Sequence, residues 1–411
     1  MTELTLERLR DAVAGAGAAI RAITRLQPAG GPGDKVFPPT YQGASYVYEE
    51  RQIGDEKVPC VLLDSVQSQA NRMEEALLTA RRAGRLAFPD IQVDFSAVGL
   101  TRYGTISTLQ APHRIADAIL RDSLFDGMLF RNSSIGQKFV TASPANATGL
   151  LELCPAALIF GTWDSTGLGT GGRGARFARC LVSEIIGVGA VEGKRAAGRV
   201  DPLGIERSAA VIYQSDSAIG WTTNPERAQK NARGEPQLLR RGGEQGGRPS
   251  VINHGNISPT ISVGGVTIQY AAQTTVLSLA GLRKLHFPTV DGRLHPARDS
   301  AARTYLAALA LCAVALQYEA GYDLRSRCVL IPEERRIELI PNRIGPAEEI
   351  SLTVDHVLTL CGQAAEQLVA HDFSWSPRET ITLVPCDELI GLIRKNEAAI
   401  MAGRTEESED A

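Results

Sequence analysis

VLLDSVQSQANRMEEALLTARRAG, residues 61–84, changes its hydrophobic period at a single serine. Residues 58–63 read as a strand. Residues 45–50 read as an earlier one, with GDEK at 54–57 as the turn between them. Ser65 stands where a helix N-cap belongs, since its hydroxyl can accept a bond from an unpaired first-turn N–H. Gly84 supplies the stop. Outward from this unit, IQVDFSAV (91–98) reads as a strand and residues 111–129 as a helix. LCPAALIFGTW (153–163) is an apolar, strand-like run, and the state of residues 175–191 stays open between strand and helix. Residues 296–320 and 351–371 read as long helices. Upstream, Leu4, Leu6, Leu9, Val13, Ile20 and Ile23 recur at helical spacing until PAGGPGD at 28–34 breaks the chain. Strand and helix do not alternate regularly, which points to an α+β fold rather than a doubly wound sheet.

Bulk properties exclude several classes. The 411 residues allow one large elaborated domain or two to three ordinary ones. The formal net charge of −3 and pI of about 6.1 are not a global nucleic-acid-binding signature, so any such binding needs a local basic face. Seven lysines stand against 36 arginines. That bias fits bidentate phosphate recognition, but GC-rich codon usage explains it more simply. Seven scattered cysteines, none in C-x-x-C spacing, indicate neither a zinc site nor a disulfide framework. The N-terminus does not read as a signal peptide. The apolar stretch 307–316 is too short to span a bilayer and reads as a buried helix. A cytoplasmic protein without a membrane partner is expected.

Few residues form a chemical constellation. Gly167, Gly169 and Gly172 fit G-x-G-x-x-G after an apolar run, with Glu192 where a ribose-binding acid would stand. This supports an alternative reading as a nucleotide-binding enzyme (NAD or ATP) using the loop 161–174. Against it, Arg173, Arg176 and Arg179 follow at once, where a dinucleotide fold puts an apolar helix. Glycines that admit a nucleic-acid backbone and arginines that supply charge fit better. His113, beside Arg114 and Asp117, lacks an identifiable nucleophile partner. Gln69, Asn71 and Arg72 lie along one flank of the 65–84 helix, either as a solvated face or as phosphate and sugar donors. No ligand spacing suggests a metal, and no cofactor is expected. Residues 221–250 read as a mobile basic loop and 404–411 as an acidic, disordered tail. Ile257–Val263 and Val266–Tyr270 alternate around Gly264-Gly265 as a hairpin would. Sheet strands with a buried face alternate in the same way.

Several strings together resemble the large RAMP-superfamily backbone protein of type I-G (formerly I-U) Cascade, a CRISPR effector. They are VLLDSVQSQANRMEEALL (61–78), LQAPHRIADAILRDS (109–123), LLELCPAALIFGTWDS (150–165), GARFARCLVSEIIG (174–187) and SVINHGNISPTISVGGVTIQYA (250–271). The match spans roughly residues 36–290, and the C-terminal third adds little. The resemblance implies one elaborated unit with an RRM-like, ferredoxin-type palm over about 36–220 and 271–400. Inserted fingers and a thumb-like hairpin within 221–270 complete it. It implies a non-catalytic subunit that polymerises along CRISPR RNA (crRNA) and presents it to target DNA in antiviral defence. It implies copies of itself and other Cascade subunits as partners. Sequence specificity would lie in base pairing, so the protein should grip backbone and shape. Gln69, Asn71, Arg72, His113, Arg114, Arg173, Arg176, Arg179, Asn253, His254 and Asn256 are the expected RNA contacts. A further alternative is a type III-like, metal-dependent RNA-cleaving backbone subunit. For that, Asp34 is the candidate acid by location.

Overall fold

The computed structural model describes residues 2–165, 174–240 and 246–401. The chain divides into two compact units, residues 1–190 with 268–411, and residues 191–267. The main elements, in chain order, are β1 (Gly17–Pro28), β2 (Tyr48–Ile53), β3 (Glu56–Asp64), α1 (Val66–Arg82), β4 (Leu181–Val188), β5 (Val191–Arg199), β6 (Ile257–Thr267), β7 (Tyr270–Ser278), α2 (Pro296–Ala320), β8 (Cys328–Pro341) and α3 (Val354–Ala370). The fold is α+β, as the sequence suggests.

In the first unit the large sheet runs β8-β1-β7-β4-β3-β2, every neighbouring pair antiparallel. Taken in chain order, β1, α1, β4, β7, α2 and β8 make a strand-helix-strand-strand-helix-strand unit whose strands lie in the order β8-β1-β7-β4. The β2–β3 hairpin extends its edge. Ile20, Ala22, Thr24 and Leu26 of β1 are buried at every second position, the period of a strand with one covered face. Met73, Leu77 and Leu78 of α1 join α2 in the core on that side. Ser65 caps α1 through Ser68 N at 3.2 Å, and Gly84 (φ +71) ends it. The helix α2 is apolar nearly all round, which places it at the centre of the core with α3 along it. Among the described residues it is the one helix long and apolar enough to cross a membrane, and 89% of its apolar window is buried inside the protein. All seven cysteines are free and buried.

A smaller five-stranded sheet in the same unit pairs Asp90–Asp94 in parallel with Thr380–Pro385. Here several local expectations give way. Residues 111–129 are not one helix. Arg114 takes a left-handed φ of 53° and Asp117 starts afresh by capping Ile119 N, leaving a 3-10 turn over Arg114–Ala116 and α-helix only over Ala118–Arg121. Asp126 and Gly127, both at positive φ, then turn one short strand into another. The run around Pro155 is a helix, Pro155–Phe160, with the proline in its first turn. All six of its residues are buried, so no polar face marked the period. The helical spacing at the N-terminus holds over Leu6–Asp11 and a π-helical turn, Ala12–Ala16, before β1 begins. Residues 175–191 are strand, in Arg176–Phe177 and β4.

The second unit is a ribbon of β5 and β6 that carries residues 200–256 between its strands. The expected hairpin turn at Gly264-Gly265 is a correction: both glycines lie inside β6. Glu192 faces Val266 and Lys194 faces Val263, so two residues on β6 answer one on β5. That is a β-bulge, and Gly265 at φ +74 is the residue that makes it possible. The stretch expected as a loop carries local pairing, Tyr213–Gln214 with Trp221–Thr222 and bridges from Tyr213 to Leu238 and Lys230 to Pro236. Residues 241–245 of that stretch and the acidic tail lie outside the described residues.

Candidate nucleic-acid interface

The residues on either side of the glycine-rich segment form a short stem in the first unit. After the buried helix Pro155–Phe160, Gly161 (φ +80) turns the chain, and Thr162–Trp163 pair antiparallel with Arg176–Phe177. Asp164 N donates to Ala175 O at 3.0 Å and Cys180 N to Ile159 O at 2.8 Å, closing the stem above and below. Strand alternation divides its side chains. Thr162 and Phe177 turn into the core, while Trp163 and Arg176 face each other on the outside. Trp163 is 64% exposed, and the Arg176 guanidinium lies over its ring at 5.6 Å. An exposed indole with a cation on its face is a surface on which a nucleobase can stack beside a charge for phosphate.

Buried groups anchor this stem. Asp164 pairs with Arg131 at 2.8 Å. At Gly174 a Cβ would lie 2.4 Å from the Asp164 carbonyl oxygen, so only glycine lets the two arms close. Glycines 167, 169 and 172 and Arg173 lie outside the described residues. The apolar run before them is a helix followed by only the two-residue antiparallel strand Thr162–Trp163, and the large sheet is antiparallel, so among the described residues the parallel-sheet setting of a dinucleotide fingerprint is missing.

The other expected contacts divide by burial. Arg179 is exposed at the stem and donates from Nε to Phe160 O at 3.2 Å. Asn71 and His113 are exposed. Gln69 is a correction: it is buried, donates to Asp64 at 2.6 Å and accepts from Ser183 and Gln273. A buried amide must satisfy both ends inside the protein, and this one does. Arg72 is a correction of the same kind, committed to Asp64 Oδ2 and to the carbonyls of Asp323 and Leu324. Arg114, 6% exposed, is bound to Glu74 and Gly161. In the second unit Asn253 supplies a left-handed turn and Asn256 accepts from Asp201 N at 2.8 Å. The His254 ring stands half-exposed, 3.4 Å from Asp201. Asp34 is exposed and accepts from Lys35 N. Among the described residues no group of three His, Cys, Asp or Glu side chains is gathered for a metal.

Two exposed features escaped the sequence reading. Trp163 ends an apolar run and reads there as core. On the ribbon, Ile261 lies opposite Ala196 and Val263 opposite Lys194, while Ser262 lies opposite Arg195. One side is therefore largely apolar and the other polar, with Ile261 77% exposed. The uncovered face of the large sheet is a weaker candidate, because Arg21 and Arg25 there are paired with Glu338 and Glu333.

An antiparallel sheet with two helices on one face, and a tryptophan–arginine stem outside it, define a mixed α+β protein with a candidate nucleic-acid surface. Residues 20–192, from β1 through the stem to the start of β5, match the family described as CRISPR-associated protein GSU0053. The resemblance to a CRISPR-associated family read from the sequence is met over that stretch. A solved chain titled "CRISPR RNA-guided surveillance complex, pre-nicking" is 12% identical, with a TM-score of 0.33. The alignment covers 94% of this chain and 99% of that one. No curated protein matches significantly.

Proposed function

We propose that this chain is a non-catalytic backbone subunit of a type I-G CRISPR effector complex, binding crRNA along its spacer and holding it for pairing with target DNA. The observation that carries the reading is the outward Trp163–Arg176 pair on the stem that flanks the glycine- and arginine-rich sequence, inside the segment that matches a CRISPR-associated family. In support, the strand order β8-β1-β7-β4 with α1 and α2 on one face is that of a ferredoxin-type, RRM-like palm. Residues 191–267 are the thumb of this reading, a ribbon in place of the two-strand hairpin expected around Gly264. Its partners are further copies of the chain and the other Cascade subunits, in the cytoplasm. Base pairing reads the target, and the protein supplies stacking and phosphate contacts without cutting either strand.

The test is direct. The chain is titrated with a single-stranded RNA at several salt concentrations. Affinity should fall steeply with salt, because each neutralised phosphate releases a counterion. RNA and DNA incubated with the protein and Mg²⁺ should stay intact. Salt-independent binding, or none at low salt, would remove the reading. Cleavage lost on Asp34→Ala would replace it with the metal-dependent alternative.

A further inference from the structure

A buried ion pair lies beneath the stem. Glu74, on the core side of α1 and 2% exposed, accepts from Arg114 Nε at 2.5 Å and Nη2 at 2.7 Å. The remaining edge of that guanidinium, Nη1, donates to Gly161 O at 3.0 Å, and its face lies over Phe160. Beside it, Arg179 holds Phe160 O. The two carbonyls that precede Thr162–Trp163 are thus each held by an arginine, and one of those arginines is aimed by Glu74. A buried ion pair adds little net stability over apolar packing, because desolvation offsets the attraction. What this pair supplies is direction: a fork of donors with one orientation, on a residue held at positive φ.

We propose that Glu74 and Arg114 are positioning residues for the nucleic-acid surface of the stem. The carboxylate aims the guanidinium, the guanidinium fixes Gly161, and Gly161 sets where Trp163 and Arg176 point. This rests on the RNA-binding reading above and adds a control over it. Burial pushes the Glu74 carboxyl up to about 7, against the pull of Arg114 and, more weakly, Arg179. Glu74 also bears on the Cys154 thiol, which burial pushes up to about 12 and so keeps neutral. Above pH 7 the carboxylate accepts both N–H groups. Below it the neutral acid must place an O–H where a donor-only guanidinium cannot accept it, and the two-point clamp opens.

The test uses the full chain and a fluorescein-labelled single-stranded RNA, with affinity read at pH 6 and pH 8 for wild type and Glu74→Gln. Histidines gain charge over the same range in both proteins, so the quantity read is the ratio of their affinities. Wild type should lose roughly two- to tenfold against the variant on going from pH 8 to pH 6, the worth of about one net hydrogen bond. A second variant, Glu74→Leu with Arg114→Met, replaces the pair by apolar side chains of similar bulk. Circular dichroism and a cooperative melt should show it folded, yet its RNA affinity at pH 8 should fall below wild type. A pH-independent ratio, or a folded double variant that binds as wild type does at pH 8, overturns the inference alone. Failure of wild type to bind RNA at pH 8 and low salt overturns the RNA reading and this inference with it.

Discussion

Replacing Trp163 by alanine separates binding from folding more cleanly than any other change at the stem. The side chain is 64% exposed, so roughly a third of its surface is buried by folding. For an indole of ~200 Å² that is about 70 Å², or at most about 2 kcal/mol at 25 cal/mol per Å². Loss of a stacked base costs ~1–3 kcal/mol, a fall in RNA affinity of roughly 5- to 150-fold. Trp163→Ala should therefore weaken RNA binding with only a modest drop in melting temperature, and the slope of affinity against salt should not change. Arg176→Ala, opposite it, should weaken binding and lower that slope by about one. Phe177→Ala, on the buried side of the same ribbon, should do the reverse and cost about 3–5 kcal/mol of stability. Fluorescence anisotropy over a salt series and thermal melts of the three variants read all of this. A folded Trp163→Ala protein that binds RNA as wild type does would refute the stacking role.

Three further outcomes are expected. Because the Glu74 pKa is raised in the folded state, the fold holds that proton more tightly than the unfolded chain does. The contribution of Glu74 to stability therefore falls by about 3 kcal/mol as pH rises from about 4.5 to about 7. Glu74→Gln should lack this slope in urea titrations compared with wild type at pH 5 and pH 8, and an identical slope would count against the buried-acid account. Gly174→Ala drives a methyl into the Asp164 backbone and should cost ~1–3 kcal/mol while loosening the stem, read by melting temperature and by tryptophan quenching at Trp163. Gly265→Val, at positive φ in the bulge, should destabilise the β5–β6 ribbon by about 1–2 kcal/mol, read as faster amide exchange over residues 191–199 while α1 and α2 keep their protection.

Local chemistry was legible in the sequence where the partner lay close by. Ser65 caps a helix three residues on, and Gly54-Asp55 turns β2 into β3. It was illegible where the partner is remote. Gln69 looked like a free polar flank because Gln273, which bonds it, stands 204 residues away. Arg114 looked like a surface cation because Glu74 precedes it by 40 residues. Gly264-Gly265 read as a turn because nothing in its neighbourhood reveals that β6 pairs with β5, far upstream. Trp163 carried one usable signal, an aromatic between Gly161 and the polar Asp164-Ser165, but the apolar run before it made it read as core. That Arg176 points outward opposite Trp163 depends on a two-residue register that no local pattern fixes.

The proposed function requires that this chain assemble on RNA. The chain co-expressed with a CRISPR array and its partner subunits, purified at low salt and measured by light scattering with absorbance at 260 and 280 nm, tests it most directly. Several copies of the chain should elute on one RNA of defined length, and the particle should fall apart into RNA-free protein as salt is raised. Elution as an RNA-free monomer at low salt would contradict it.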